Sequence, residues 1–325
     1  MDINKQKTKW DISIFKNENF TLPVIKSPFN TYYNKYIDSV INDIEEWHRE
    51  CCFLGREKLK GYIESKPYLF SAYYYCHLNE KVLPFIIKFV DMFSIYDDEY
   101  LEKTNCSEDV INQFLDKNYK DKNIYGVEWF KIVEGLKKYG NKQSVNKFLK
   151  EFEFFIKNVH SIHLKENANY TNINFEEYTN TRSIDFGFDL VVSAAIIDCE
   201  EPSKEIRESS LFLTLNTKSS IICVLVNDIY SFVKESKQPD TMNYVKIMAN
   251  KKKSIQKALN HTNKIINNTL KEIISIENQI KMQYKENNLY QYIERLNSVI
   301  SATIYLHQNH KRYSVHNKNY INKNN

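Results

Sequence analysis

The chain has 325 residues, 42% hydrophobic and 26% charged, which excludes a disordered chain and suffices for one large domain or two modest ones. Its net charge of +4, from 45 basic and 41 acidic residues, comes without a basic stripe interleaved with aromatics, so no nucleic-acid partner is expected. Only 6 glycines and 6 prolines punctuate it, and with long stretches of 3.6-residue periodicity they predict an all-α fold.

Residues 1–30 read as irregular, with Pro23 and Pro28 keeping the backbone extended. They hold no apolar leader, and no segment approaches the ~18 apolar residues of a membrane span, so a cytoplasmic protein is expected. From Tyr32 the apolar residues Tyr36, Ile37, Val40, Ile41, Ile44 and Trp47 recur at three- and four-residue spacing, an amphipathic helix. Further apolar stretches cover 68–78 and 82–100. Residues 103–123 are polar and predict a loop with a short helix. "EWFKIVEGLKKYG" reads as a helix capped at Gly140. Helical patterns then run over 143–165, 175–198 and 203–236, the last two parted by Pro202, and over 251–282 and 286–310. The tail "HNKNYINKNN" has too little apolar content to pack and is expected to be mobile. No repeat, linker or composition break divides the chain. The expectation is one domain over residues 1–313, a bundle of about ten or more helices, followed by a mobile tail over 314–325.

The six cysteines, Cys51, Cys52, Cys76, Cys106, Cys199 and Cys223, form no Cys-x-x-Cys pair and no zinc spacing with histidine. Reduced, partly buried thiols are expected.

Two polar clusters interrupt the apolar pattern. In "VNDIYSFVKE", Asn227, Ser231 and Glu235 follow a core-like run at i, i+4 and i+8. Each four-residue step drifts only about 40° around a helix, so an amide oxygen, a hydroxyl and a carboxylate share one face. Hard oxygen ligands in a row suit Mg²⁺, although a helix emerging from a core would show a wetted polar face too. The second cluster, "YDDEYLE", places Asp97, Asp98, Glu99 and Glu102 after the apolar run 82–96. Carboxylates so close repel one another unless cations compensate them. Alone this cluster is solvated surface; paired with the other row it makes two walls of a polynuclear Mg²⁺ site.

Asp-Asp-x-x-x-Glu at 97–102 followed by Asn-Asp-x-x-Ser-x-x-x-Glu at 227–235 resembles the signature of class I terpene synthases of the microbial type. The resemblance runs from about residue 30 to Tyr313. It includes Arg182, placed 45 residues before Asn227 like the family's diphosphate sensor, and Arg312-Tyr313, like its terminal Arg-Tyr pair.

The resemblance implies an all-α bundle around a central cavity and an acyclic isoprenyl diphosphate substrate, with farnesyl diphosphate favoured by the short single domain. It also implies Mg²⁺, three ions in number, with Mn²⁺ as the alternative. Asp97 and Glu102 would be ligands on the first wall, with Asp98 either a ligand or the group that orients Arg312. Asn227, Ser231 and Glu235 would hold the second wall. Arg182, Lys234, Arg312 and Tyr313 would bind diphosphate. Asp185 would be the linker after the sensor, and Phe186 or Gly187 would supply an effector carbonyl. The Arg312–Tyr313 segment is expected to be mobile until ligand orders it. Phe93 and Phe89 lie one and two turns below Asp97, where they would face a carbocation or simply fill the core. Cys223 and Ser219, below Asn227, would leave room for the prenyl chain. The class II Asp-x-Asp-Asp motif is absent, so the reaction would start by ionisation. Two alternatives stand beside this reading, a chain-elongating prenyl diphosphate synthase and a non-catalytic helical scaffold. A monomer or a homodimer is equally compatible.

Overall fold

The structure is a computed structural model that describes residues 18–101, 108–118, 123–165, 173–237 and 241–320. Its regular elements are helices, with no β-sheet among the described residues, as the low glycine and proline content predicts.

The helices run α1 (Ile37–Cys51), α2 (Gly55–Glu64), α3 (Leu69–Tyr74) and α4 (Leu83–Tyr96), which continues as a π-helical turn over Asp97–Leu101. Next come α5 (Glu108–Leu115), α6 (Ile124–Tyr139), α7 (Lys142–Lys165), α8 (Phe175–Phe186) and α9 (Phe188–Ala195). The second half holds α10 (Lys204–Arg207), α11 (Ser210–Glu235), α12 (Tyr244–Lys252), α13 (Ile255–Gln283), α14 (Asn287–Asn309) and α15 (Lys311–Asn317).

The axis of the bundle is α11. It contains neither glycine nor proline over 26 residues and starts at Ser209, whose Oγ accepts the Phe212 amide at 3.3 Å. Its residues Ile222, Cys223, Val224, Leu225 and Val226 have no solvent exposure at all. A stretch apolar on every side belongs inside a protein. By length and composition alone α11 could cross a membrane, which departs from the expectation; here it packs against α12, α13 and α14. On α13 the stripe Ile255, Leu259, Ile266, Ile273 and Ile280 is buried, spaced four residues and then seven apart. Each such side chain stabilises the fold by ~1.5–3 kcal/mol. Opposite them, α4 packs on α6, and α7 on α8 and α9.

Three boundaries differ from the sequence reading. The pattern over 175–198 is two helices, because Gly187 sits at φ +70° and ends α8 in the left-handed region. The pattern from 203 is also broken, by the Ser209 cap after the single turn of α10. Residues 314–320 are held: Ser314–Asn317 complete α15, Tyr320 stacks on Phe20 at 4.6 Å, and the Leu22 amide donates to the Tyr320 carbonyl at 2.8 Å. The same two chain ends grip α11 at one residue. Tyr230 donates its hydroxyl to the Pro23 carbonyl at 2.7 Å, and its own carbonyl accepts from Asn317 Nδ2 at 2.8 Å. Residues 321–325 lie outside the described residues.

Gly187→Ala tests the first of these breaks. A Cβ there would require the left-handed backbone at a cost of roughly 1–2 kcal/mol and would press to 3.1 Å from the Phe155 ring. A lowered thermal midpoint is expected; an unchanged one would show that the α8–α9 junction is not held by this glycine.

Candidate active site

The break at Gly187 opens a cavity of about 230 Å³. It is lined by Phe89 and Phe93 from α4, Asp97 from the π-helical turn that follows, Asp185, Phe186 and Gly187 from the α8–α9 junction, Tyr74 from α3, and His307 and Tyr313 from α14 and α15. Three regions far apart in sequence thus meet in one space. A wider groove of about 980 Å³ lies between Pro28–Tyr32 and the ends of α13 and α14, and none of the expected site residues lines it.

Arg182 is the hub of the polar wall. Its Nη2 donates to Asn227 Oδ1 at 2.8 Å, its Nε to Asp228 Oδ1 at 3.3 Å, and its Nη1 to Asp185 Oδ2. Glu235 Oε1 lies 3.8 Å from Nη2. One planar guanidinium therefore ties α8 to the row on α11, a fork that a lysine could not reproduce. Asp228 is fully buried and further held by the Tyr178 hydroxyl at 2.5 Å and the Tyr244 amide at 3.2 Å. Burial pushes its carboxyl up to about 6, although Arg182 pulls the other way.

Asn227 is oriented from its other side. His307 Nδ1 lies 2.7 Å from the Thr303 carbonyl, which can only accept, so Nδ1 carries the hydrogen. Burial pushes this imidazole down to about 3, keeping it neutral. Its Nε2 therefore accepts from Asn227 Nδ2 at 3.0 Å, which turns Asn227 Oδ1 toward Arg182. The His307 ring also stacks on Tyr313 at 4.2 Å.

On the facing wall Asp97 lines the cavity, whereas Asp98 is 43% exposed and pairs with Arg312 at 3.2 Å. Glu99 pairs with Lys58 at 3.4 Å. Glu102 lies outside the described residues. Lys234 is exposed on the last turn of α11. The Arg312–Tyr313 segment, expected to be mobile, is helical here, capped by His310 Nδ1 accepting the Arg312 amide at 3.2 Å.

Phe89 and Phe93 line the cavity and fill the core at once, stacked 5.8 Å apart and edge-on to Phe152. Cys223 and Ser219 do not line it. They are fully buried, with Cys223 accepting from Thr303 on α14 at 3.4 Å and Ser219 bonding back to Leu215. Helix α14 covers that face of α11. Sequence reading missed His307 and the Tyr74–Tyr75 pair, which sat inconspicuously within apolar helical stretches.

Among the described residues no three His, Cys, Asp or Glu side chains group closely enough to hold a metal ion. The row on α11 offers instead two neutral oxygens, from Asn227 and Ser231, and one carboxylate, from Glu235. All are hard donors on one face, beside a cavity whose far wall presents Asp97. That donor set fits a small oxygen-loving cation.

Comparison with known proteins follows the same line. The family described as "Terpene synthase family 2, C-terminal metal binding" matches residues 88–272. Terpene synthase 6 of Dictyostelium purpureum is 30% identical, over 95% of this chain and 99% of its own. The chain belongs to the terpene synthase family. Terpene synthase 7 of the same organism is 31% identical over 80% of each chain. The fold of this terpene synthase is shared with hedycaryol synthase in complex with nerolidol, at TM-score 0.71 and 16% identity, covering 88% of this chain and 99% of that one. It is shared too with "a-eudesmol synthase", at TM-score 0.74 and 13% identity over 88% and 99%. A terpene synthase is a lyase acting on a diphosphate substrate, and the matched family is a metal-binding one.

Proposed function

We propose that this terpene synthase ionises farnesyl diphosphate with Mg²⁺ and cyclises the resulting cation. The carrying observation is Arg182, which joins Asn227, Asp228 and Asp185 beside a cavity walled by Asp97 and by aromatic rings. Asn227, Ser231 and Glu235 would hold metal on one side and Asp97 on the other, with Arg182, Lys234, Arg312 and Tyr313 binding diphosphate oxygens. Mg²⁺, when bound, would neutralise charge that develops on the leaving group, typically the largest single term in such catalysis.

The chain's own residues do the rest. The allylic carbon–oxygen bond breaks with its electron pair leaving on diphosphate, which the guanidinium groups of Arg182 and Arg312 would receive. The carbocation left behind would be sheltered by Phe89, Phe93 and Tyr74, which line the cavity and would exclude water and offer π-surface to the charge. Loss of a proton or capture of water closes the reaction. A C15 substrate is favoured by the short single domain.

Incubation with C10, C15 and C20 diphosphates, read by gas chromatography–mass spectrometry, tests this. A cyclised C15 product that appears with Mg²⁺ and vanishes in excess EDTA is expected. Robust turnover in EDTA, or a lengthened diphosphate as product, would overturn the proposal.

A further inference from the structure

The residue that fixes Glu235 stands outside every motif of the sequence. Asn243 precedes α12 and is 1% exposed. Its Oδ1 accepts the Val245 and Lys246 amides at 2.9 and 3.3 Å, which makes it the N-cap of that helix. Its Nδ2 donates to Glu235 Oε2 at 2.8 Å and to the Asp228 carbonyl at 2.8 Å, with Ser231 Oγ at 3.5 Å.

The amide cannot be turned round. Backbone N–H groups only donate, and a carbonyl or carboxylate only accepts, so the cap forces the NH₂ group toward Glu235. Both hydrogens and both lone pairs are then in use. A capping asparagine thereby becomes a clamp on one carboxylate oxygen, leaving Oε1 on the Arg182 side.

We propose that Asn243 is a positioning residue that presets the Glu235 carboxylate, and with it the α11 row, for metal. The proposal rests on the reading of Asn227, Ser231 and Glu235 as metal ligands. Groups that orient a metal's ligands commonly change affinity 10–100-fold when removed.

Capping and clamping separate by substitution. Serine caps as well as asparagine but is too short to reach Glu235, so Asn243→Ser keeps the helix start and removes the clamp. Asn243→Asp also caps, and turns the donor into a carboxylate facing Glu235. Binding of inorganic diphosphate to the full chain is followed calorimetrically against Mg²⁺ concentration. Both variants are expected to keep the helical circular dichroism signal and to raise the Mg²⁺ needed for half-maximal binding, about tenfold for serine and more for aspartate. In a Glu235→Gln background, Asn243→Ser should add little further loss, since the carboxylate it acts on is gone. Wild-type Mg²⁺ dependence in either folded variant overturns the proposal and leaves Asn243 a cap. If the wild-type chain itself shows no Mg²⁺-dependent diphosphate binding, the ligand reading falls, and the proposal with it. Should the serine variant not fold, the aspartate variant decides.

Discussion

Asn227→Ala is expected to lower turnover at least a hundredfold, about 2.7 kcal/mol of barrier, while the helical circular dichroism signal stays intact. The two halves of that expectation have separate grounds. Asn227 Oδ1 is aimed at the polar wall by His307, so its loss removes the one amide oxygen of the α11 row. The fold should survive because no buried charge is stranded: Arg182 keeps Asp228 and Asp185. Asp97→Asn is the matching change on the other wall and should behave alike. If either variant retains more than a tenth of wild-type rate, less than ~1.4 kcal/mol is at stake, and its role as a metal ligand is untenable.

Arg182→Ala should abolish activity and also weaken the fold. It would leave Asp228, with no exposure, and the nearly buried Asp185 without their shared cation. Breaking a buried pair from one side typically costs ~3–5 kcal/mol. The loss should depend on pH in a set direction. Burial raises the Asp228 carboxyl above its ordinary 3.8 to about 6, so it detracts from stability as pH rises through that range and not below it. Arg182 restrains the rise, and without it the carboxyl climbs further. The gap in thermal midpoint between variant and wild type, measured without metal, should therefore widen from pH 4 to pH 7. A gap constant with pH would show that Asp228 is not compensated by Arg182. Arg182→Lys should rescue stability better than activity, since an ammonium restores charge but not the fork.

Much of this site can be read from sequence because helical spacing turns into direction. Asn227, Ser231 and Glu235 fall on one face of α11, and Arg182 meets the first and last of them from α8. Periodicity says where a side chain points along its own helix and nothing about what lies opposite. Cys223 and Ser219 illustrate this, since α14 rather than the cavity covers them. The split at Gly187 was masked by a helical pattern that continues on both sides of it. Asn243 was hidden for another reason. A capping residue is chosen by the helix it starts, so its sequence context, "TMNYVK", advertises the cap and not the carboxylate on its other side.

Phe20 and Tyr320 bracket nearly the whole covalent path, yet they are ring-to-ring neighbours. The two segments close on each other and on α11 at Tyr230, next in sequence to Ser231. A change made there, such as Tyr320→Ala, would loosen the stack and the grip on Tyr230 without touching a cavity residue. Such distant substitutions would reach the helix that carries Asn227 and Glu235 through its backbone alone.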